Sequence, residues 1–188
     1  MAKAKPITGL DALAGTGRNA RIIARERLDE FYNWGQYVDN PYYTHELHNL
    51  RIAAKRLRYT LEVFAEVLPE ESASIIDELT HIQDELGALH DSDVLIALLR
   101  ICLGSQESFA TVEHLVVTQE KALAPPQLVS YMLNPHDVPT AEERRGLELF
   151  LRQQERLREQ QYATFRQHWY QLQARDFRRE VLAILDAR

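Results

Sequence analysis

The chain has 188 residues and a mass of 21.8 kDa, with 45% hydrophobic and 27% charged residues, the balance of one globular domain or two small ones and too apolar for disorder throughout. Seven Gly and seven Pro beside 18 Arg leave few turn-formers and many helix-compatible side chains, and a lone Cys102 excludes a disulfide framework and a cysteine zinc site. The net charge of −6 conceals a division: residues 1–68 carry 10 basic and 8 acidic groups, 69–140 carry 2 and 12, and 141–188 carry 10 and 8, which excludes a uniformly basic duplex-binding surface but not a local basic one.

Residues 1–17 are small, polar and glycine-containing and read as a flexible arm without the apolar core of a signal peptide; with no long apolar run elsewhere, the expectation is a cytoplasmic protein that does not span a membrane. Over 18–35, Ala20, Ile23, Ala24, Phe31 and Trp34 recur at helical spacing while Arg18, Arg21 and Arg25 share another face. Asn40-Pro41 reads as a start signal for a second helix running to Leu68 before Pro69. Pro69, Glu70 and Glu71 open a third that closes at Gly87, and Asp91 or Ser92 caps a fourth ending at Gly104. A fifth is expected over 105–124, followed by a connector at 125–139 holding Pro125, Pro126, Pro135 and Pro139. Thr140-Ala-Glu-Glu143 matches a capping box at the head of a long helix to about Ala174, which 177–185 either continues or follows as a short last helix. No run has the period-2 alternation of a strand, so the expected architecture is an all-α antiparallel bundle of six to seven helices over 18–188.

The second helix carries the chemistry. At 100° per residue, Leu50, Ala54, Leu57, Leu61, Phe64 and Leu68 form a core stripe, and His48, Arg51, Lys55 and Arg58 fall in a second arc of about 80° centred roughly 120° away, with Arg56 on another side. Like charges at i, i+3 and i+4 repel, which costs a few tenths of a kcal/mol per pair in an isolated helix. Two readings follow. The stripe is either a solvated face relieved by Glu46, Glu62 or the acidic helices after it, or an anion ladder in which guanidinium forks and the Lys55 ammonium bind phosphate oxygens and His48 adds a donor. Arg18, Arg21 and Arg25 repeat the spacing on the first helix and are expected to join the same groove.

His48-Asn-Leu-Arg51-Ile-Ala-Ala-Lys55-Arg56-Leu57-Arg58-Tyr59, followed one helix later by Leu86-Gly87-Ala-Leu-His90-Asp91-Ser-Asp93-Val94, resembles the CHAD family of histidine-containing helical domains over about 44–99. The resemblance implies an all-α fold whose basic groove binds inorganic polyphosphate without turning it over, with His48, Arg51, Lys55 and Arg58 at the ligand-facing motif positions. Full members carry two copies of the basic motif; the nearest echo here is Arg156-Leu157-Arg158.

The expected protein has no catalytic residue, cofactor or metal, does not bind duplex nucleic acid or a membrane, and leaves open a homo-oligomer or a protein partner. The alternative from another class is an interaction module that docks a protein through the acidic 69–140 surface. A weaker one is a metal-dependent phosphohydrolase built on His90-Asp91, with His81 and His45 as further ligands; Asp91 as a helix cap explains the dipeptide at less cost. Glu78-Leu-Thr-His81 is the only Glu-x-x-His in the chain, whereas a di-iron bundle needs two. The aromatics of the first loop (Tyr37, Tyr42, Tyr43) and of the last long helix (Tyr162, Phe165, Trp169, Tyr170) read as core and rim packing.

Overall fold

The computed structural model describes residues 4–104 and 139–187, and among these every regular element is helical: α1 (Thr16–Gly35), α2 (Thr44–Val63), a 3-10 turn (Ala65–Val67), α3 (Ser72–Cys102), α4 (Ala141–Ala174) and α5 (Phe177–Asp186). The all-α class holds. Five α-helices lie among the described residues, where six or seven are expected for the chain. The helix expected at 105–124 and all but the last residue of the 125–139 connector lie outside the described residues.

Several boundaries differ from the sequence expectation, each for a local reason. Pro41 does not open α2: it sits in a turn in which Asn40 Oδ1 accepts from the Tyr42 amide at 2.9 Å, and the helix starts three residues later. At its far end α2 stops at Val63 and the chain tightens through the 3-10 turn, so that Leu68 is already extended before Pro69, whose ring disfavours a helical predecessor. The expected third and fourth helices are one. Gly87 does not stop α3, and Asp91 and Ser92 are interior helical residues, not caps. The capping box forms as read: Glu143 Oε2 accepts from the Thr140 amide at 2.8 Å, and the Glu143 amide donates to Thr140 Oγ1 at 3.3 Å. After α4, Asp176 adopts the left-handed conformation (φ 57°), and its side chain accepts from the Arg179 amide to cap α5 as a separate helix.

The chain divides into two compact units, one of residues 1–87 with 163–188 and one of residues 88–162. In the first, α1 packs against α2 and α5. Its interior takes Ala20, Ala24, Leu28 and Phe31 from α1 and Leu50, Leu57 and Leu61 from α2, all at or near zero exposure. Trp169 of α4 stands edge-on to Phe31 with ring centroids 5.3 Å apart, and it lies so close to α1 that a Cβ at Gly35 would come within 2.3 Å of its ring. Glycine there is a packing requirement. Residues 4–15 run back along α1, with Asn19 Nδ2 donating to the Asp11 carbonyl at 2.8 Å and Arg27 to the Lys5 carbonyl at 3.0 Å.

In the second unit Val94, Ala97, Leu98 and Ile101 form a buried cluster, and Arg158 Nε bonds Asp93 Oδ1 at 2.7 Å with both side chains nearly enclosed. Burial pushes the Asp93 carboxyl above its usual range, and the Arg158 guanidinium opposes that shift. The residue that resembled half of a second basic motif is thus a structural partner of Asp93. No helix among the described residues is long and apolar enough to cross a membrane.

Candidate functional site

The site is built on α2. Its core stripe is buried as the periodicity requires, which turns the arc of His48, Arg51, Lys55 and Arg58 toward α3. Two contacts fix this orientation. Arg58 Nη1 approaches Thr80 Oγ1 at 3.5 Å, and Arg51 Nε lies over Gly87, 3.5 Å from where a Cβ would stand. The steps from Arg51 to Arg58 and from Thr80 to Gly87 are both seven residues, two turns of helix, as expected of two helices running antiparallel side by side. Gly87, misread from sequence as a helix stop, leaves room for a guanidinium; a side chain longer than a methyl group would collide with it.

The stripe is short of counter-charge. Among the described residues Arg51 makes no hydrogen bond or ion pair, and its Nε is buried without a partner. Lys55 has no ion pair among the described residues; its ammonium lies 5.4 Å from the centre of the Tyr59 ring. Arg58 is partly compensated, with Glu62 at 3.4 Å and the Tyr59 ring 4.8 Å from Cζ, yet its Nε is also buried without a hydrogen-bond partner. His48 is buried at 6% exposure on the same side of the helix. Among the described residues Glu62 pairs with Arg58 of the stripe, while on α3 Glu78 and Glu85 are committed to His168 of α4.

A buried charged donor without an acceptor costs on the order of 1–3 kcal/mol, and like charges at helical spacing add to that. An anion with several oxygens at a regular repeat would remove both costs at once.

Arg18, Arg21 and Arg25 sit elsewhere. Arg21 donates to the Ala187 carbonyl at 3.0 Å and to Gly17 at 3.1 Å, and Arg25 pairs with Asp186. With exposed Arg18 they line a shallow depression of about 610 Å³ against the end of α5. Two of the three charges therefore complement the negative end of the α5 dipole, and no described contact joins them to the α2–α3 stripe.

Sequence reasoning placed Arg56 on another flank without finding its role. Arg56 bonds the buried carboxylate of Glu30, which also accepts from Arg27 at 2.6 Å, so the two guanidinium groups and the carboxylate form a compact ionic cluster joining α1 to α2. Nothing local signals this partner, which lies 26 positions away. The His90-Asp91 dipeptide does not converge: His90 is buried and Asp91 exposed on successive positions of a continuous helix.

No curated protein and no solved structure matches the chain significantly. Residues 8–100 match the CHAD domain model, a stretch that extends the motif region upstream through α1 and takes in α2 and the Thr80–Gly87 face of α3. Over those residues the chain belongs to the CHAD domain family.

Proposed function

We propose that this protein binds inorganic polyphosphate, without turning it over, along the α2 stripe of Arg51, Lys55 and Arg58, with His48 beneath them. The observation that carries this reading is the contrast in counter-charge among the described residues: Arg56 has a buried carboxylate, while Arg51 and Lys55 have none and two guanidinium Nε atoms are buried without an acceptor. Membership of the CHAD family supports the same ligand class. Guanidinium groups bind phosphate oxygens through paired N–H donors, and a linear polyphosphate presents such oxygens on consecutive phosphates, so that one chain can bridge successive turns of the helix. Arg18, Arg21 and Arg25 contribute longer-range attraction.

Calorimetric titration with long-chain polyphosphate tests the reading. Binding weakens at least tenfold between about 50 and 200 mM salt, because each ionic contact displaces counterions. Duplex DNA at equal phosphate concentration competes poorly, since a net charge of −6 opposes a wide duplex more than a thin chain lying along the stripe. Salt-independent binding, or equal competition by DNA, refutes the groove.

A further inference from the structure

On a different face of α3, Glu78, His81 and Glu85 follow one another at i, i+3 and i+7, within an arc of about 60° that lies roughly 100–180° around the helix from Thr80 and Gly87. His168 of α4 enters this arc. Its Nε2 lies 2.7 Å from Glu78 Oε1 and its Nδ1 2.7 Å from Glu85 Oε2, and its ring lies against that of His81, tilted by 34° with centroids 4.6 Å apart. One ligand atom from each of Glu78, His81 and His168 falls within 4.8 Å of the other two.

We propose that Glu78, His81 and His168 form a binding site for a divalent transition-metal ion, zinc foremost. Two imidazole nitrogens and one carboxylate oxygen suit zinc better than magnesium or calcium, which prefer all-oxygen shells. Ligand atoms around tetrahedral zinc stand roughly 3.3–3.5 Å apart, so the Glu78–His168 pair, now 2.7 Å apart, opens by roughly 0.7 Å while the exposed His81 ring adjusts by up to roughly 1.5 Å.

The surroundings are already those of a metal centre. With the ion on His168 Nε2, the Nδ1–H donates to Glu85, which fixes the ring's orientation and raises its basicity. Glu78 Oε2 accepts from Arg175 Nη2 at 2.6 Å, and Arg175 is in turn 3.4 Å from Glu180, so the carboxylate is held with Oε1 turned to the site. The ion takes the Nε2 lone pair in place of any proton there, and that proton leaves to solvent. A fourth position remains for water. The bound ion ties α3 to α4 within the first unit, independently of anything held on α2.

The test is titration of zinc chloride into untagged, chelator-treated full-length protein, followed by calorimetry and thermal melting in a buffer without phosphate. One equivalent binds and the melting midpoint rises; magnesium at the same concentration produces neither effect. His81→Ala removes an exposed ligand without disturbing the His168 bonds and weakens zinc binding at least tenfold. His168→Gln abolishes binding, and His45→Ala, on α2, leaves it unchanged. Absence of saturable zinc binding, or equal affinity in wild type and His81→Ala, overturns the proposal, as does a loss that follows His45. Loss of polyphosphate binding bears on the α2 reading alone.

Discussion

Arg56 and Arg58 stand two residues apart on α2 in opposite surroundings. On the flank that faces α1, Arg56 meets Glu30, a carboxylate at 6% exposure already bonded to Arg27, and the charges are nearly balanced within the protein. On the flank that faces α3, among the described residues Arg51 and Lys55 meet no carboxylate, and Arg58 meets Glu62, whose side chain is 39% exposed. The same residue type holds the fold on one side and leaves donor capacity unused on the other. Basic residues in a helix are thus sorted less by their spacing than by whether the neighbouring helix offers an acceptor.

The largest expected effect breaks this comparison on its ligand side. Replacing Arg51 and Arg58 together by Glu lowers polyphosphate affinity at least about 100-fold, since two charge-assisted contacts worth on the order of 1.5–3 kcal/mol each are lost and reversed. Far-ultraviolet circular dichroism stays unchanged, because neither residue has a buried ion-pair partner to lose and the interior of Leu50, Leu57 and Leu61 is untouched. A fall in helicity would instead place these arginines among the structural groups.

Arg56→Glu should act in the opposite way. It sets a second carboxylate against buried Glu30 and leaves Arg27 alone to neutralise both, so stability falls by about 3–5 kcal/mol, read from urea unfolding. As a control for binding this substitution is unsuitable. Arg56→Met keeps the stem that packs along the helix, leaves Glu30 its bond from Arg27 and costs less, and the folded fraction binds polyphosphate as the wild type does. Weaker binding by folded Arg56→Met would show that attraction is diffuse around α2 and not confined to one flank.

What could be read in advance follows the same division between local and distant causes. The periodicity of α2, its core stripe and the arc of His48, Arg51, Lys55 and Arg58 depend on 100° geometry alone and were legible. So was the Thr140–Glu143 box, whose partners are three residues apart. Gly87 misled because glycine is costly in a helix interior, and the reason it is tolerated is the Arg51 guanidinium lying over it from another helix. The first-helix arginines had legible spacing but an illegible direction, since their acceptors are at the end of α5, 161 and 166 positions on. The bonds from His168 to Glu85 and Glu78 span 83 and 90 positions and had no local signature beyond the Glu78-x-x-His81 spacing.

A smaller effect sharpens the contrast between the two arginine groups. Arg21→Ala and Arg25→Ala remove a carbonyl bond and an exposed ion pair at the end of α5, each lowering stability by up to about 1 kcal/mol. Polyphosphate affinity changes by no more than about threefold for either, since the charge lost lies outside the α2–α3 groove. A loss as large as that of the Arg51/Arg58 variant would unite the two groups in one site.

The smallest effect concerns Tyr59, and it asks whether the stripe is held in place before any ligand arrives. The ring is half exposed, contributes little to the interior, and lies beneath two of the three charges, 4.8 Å from Arg58 Cζ and 5.4 Å from Lys55 Nζ. Its negative face attracts both cations, by about 0.5–1 kcal/mol each at an exposed position, and so offsets part of their mutual repulsion. Tyr59→Leu keeps helical propensity and apolar bulk but removes that face; polyphosphate affinity falls about two- to fivefold while the thermal midpoint hardly moves. Tyr59→Phe keeps the ring and binds as the wild type does, which separates the π face from the hydroxyl group. If both variants bind equally well, the arginine and lysine are ordered by the ligand itself, and the preformed stripe gives way to one that assembles on contact with the polyanion.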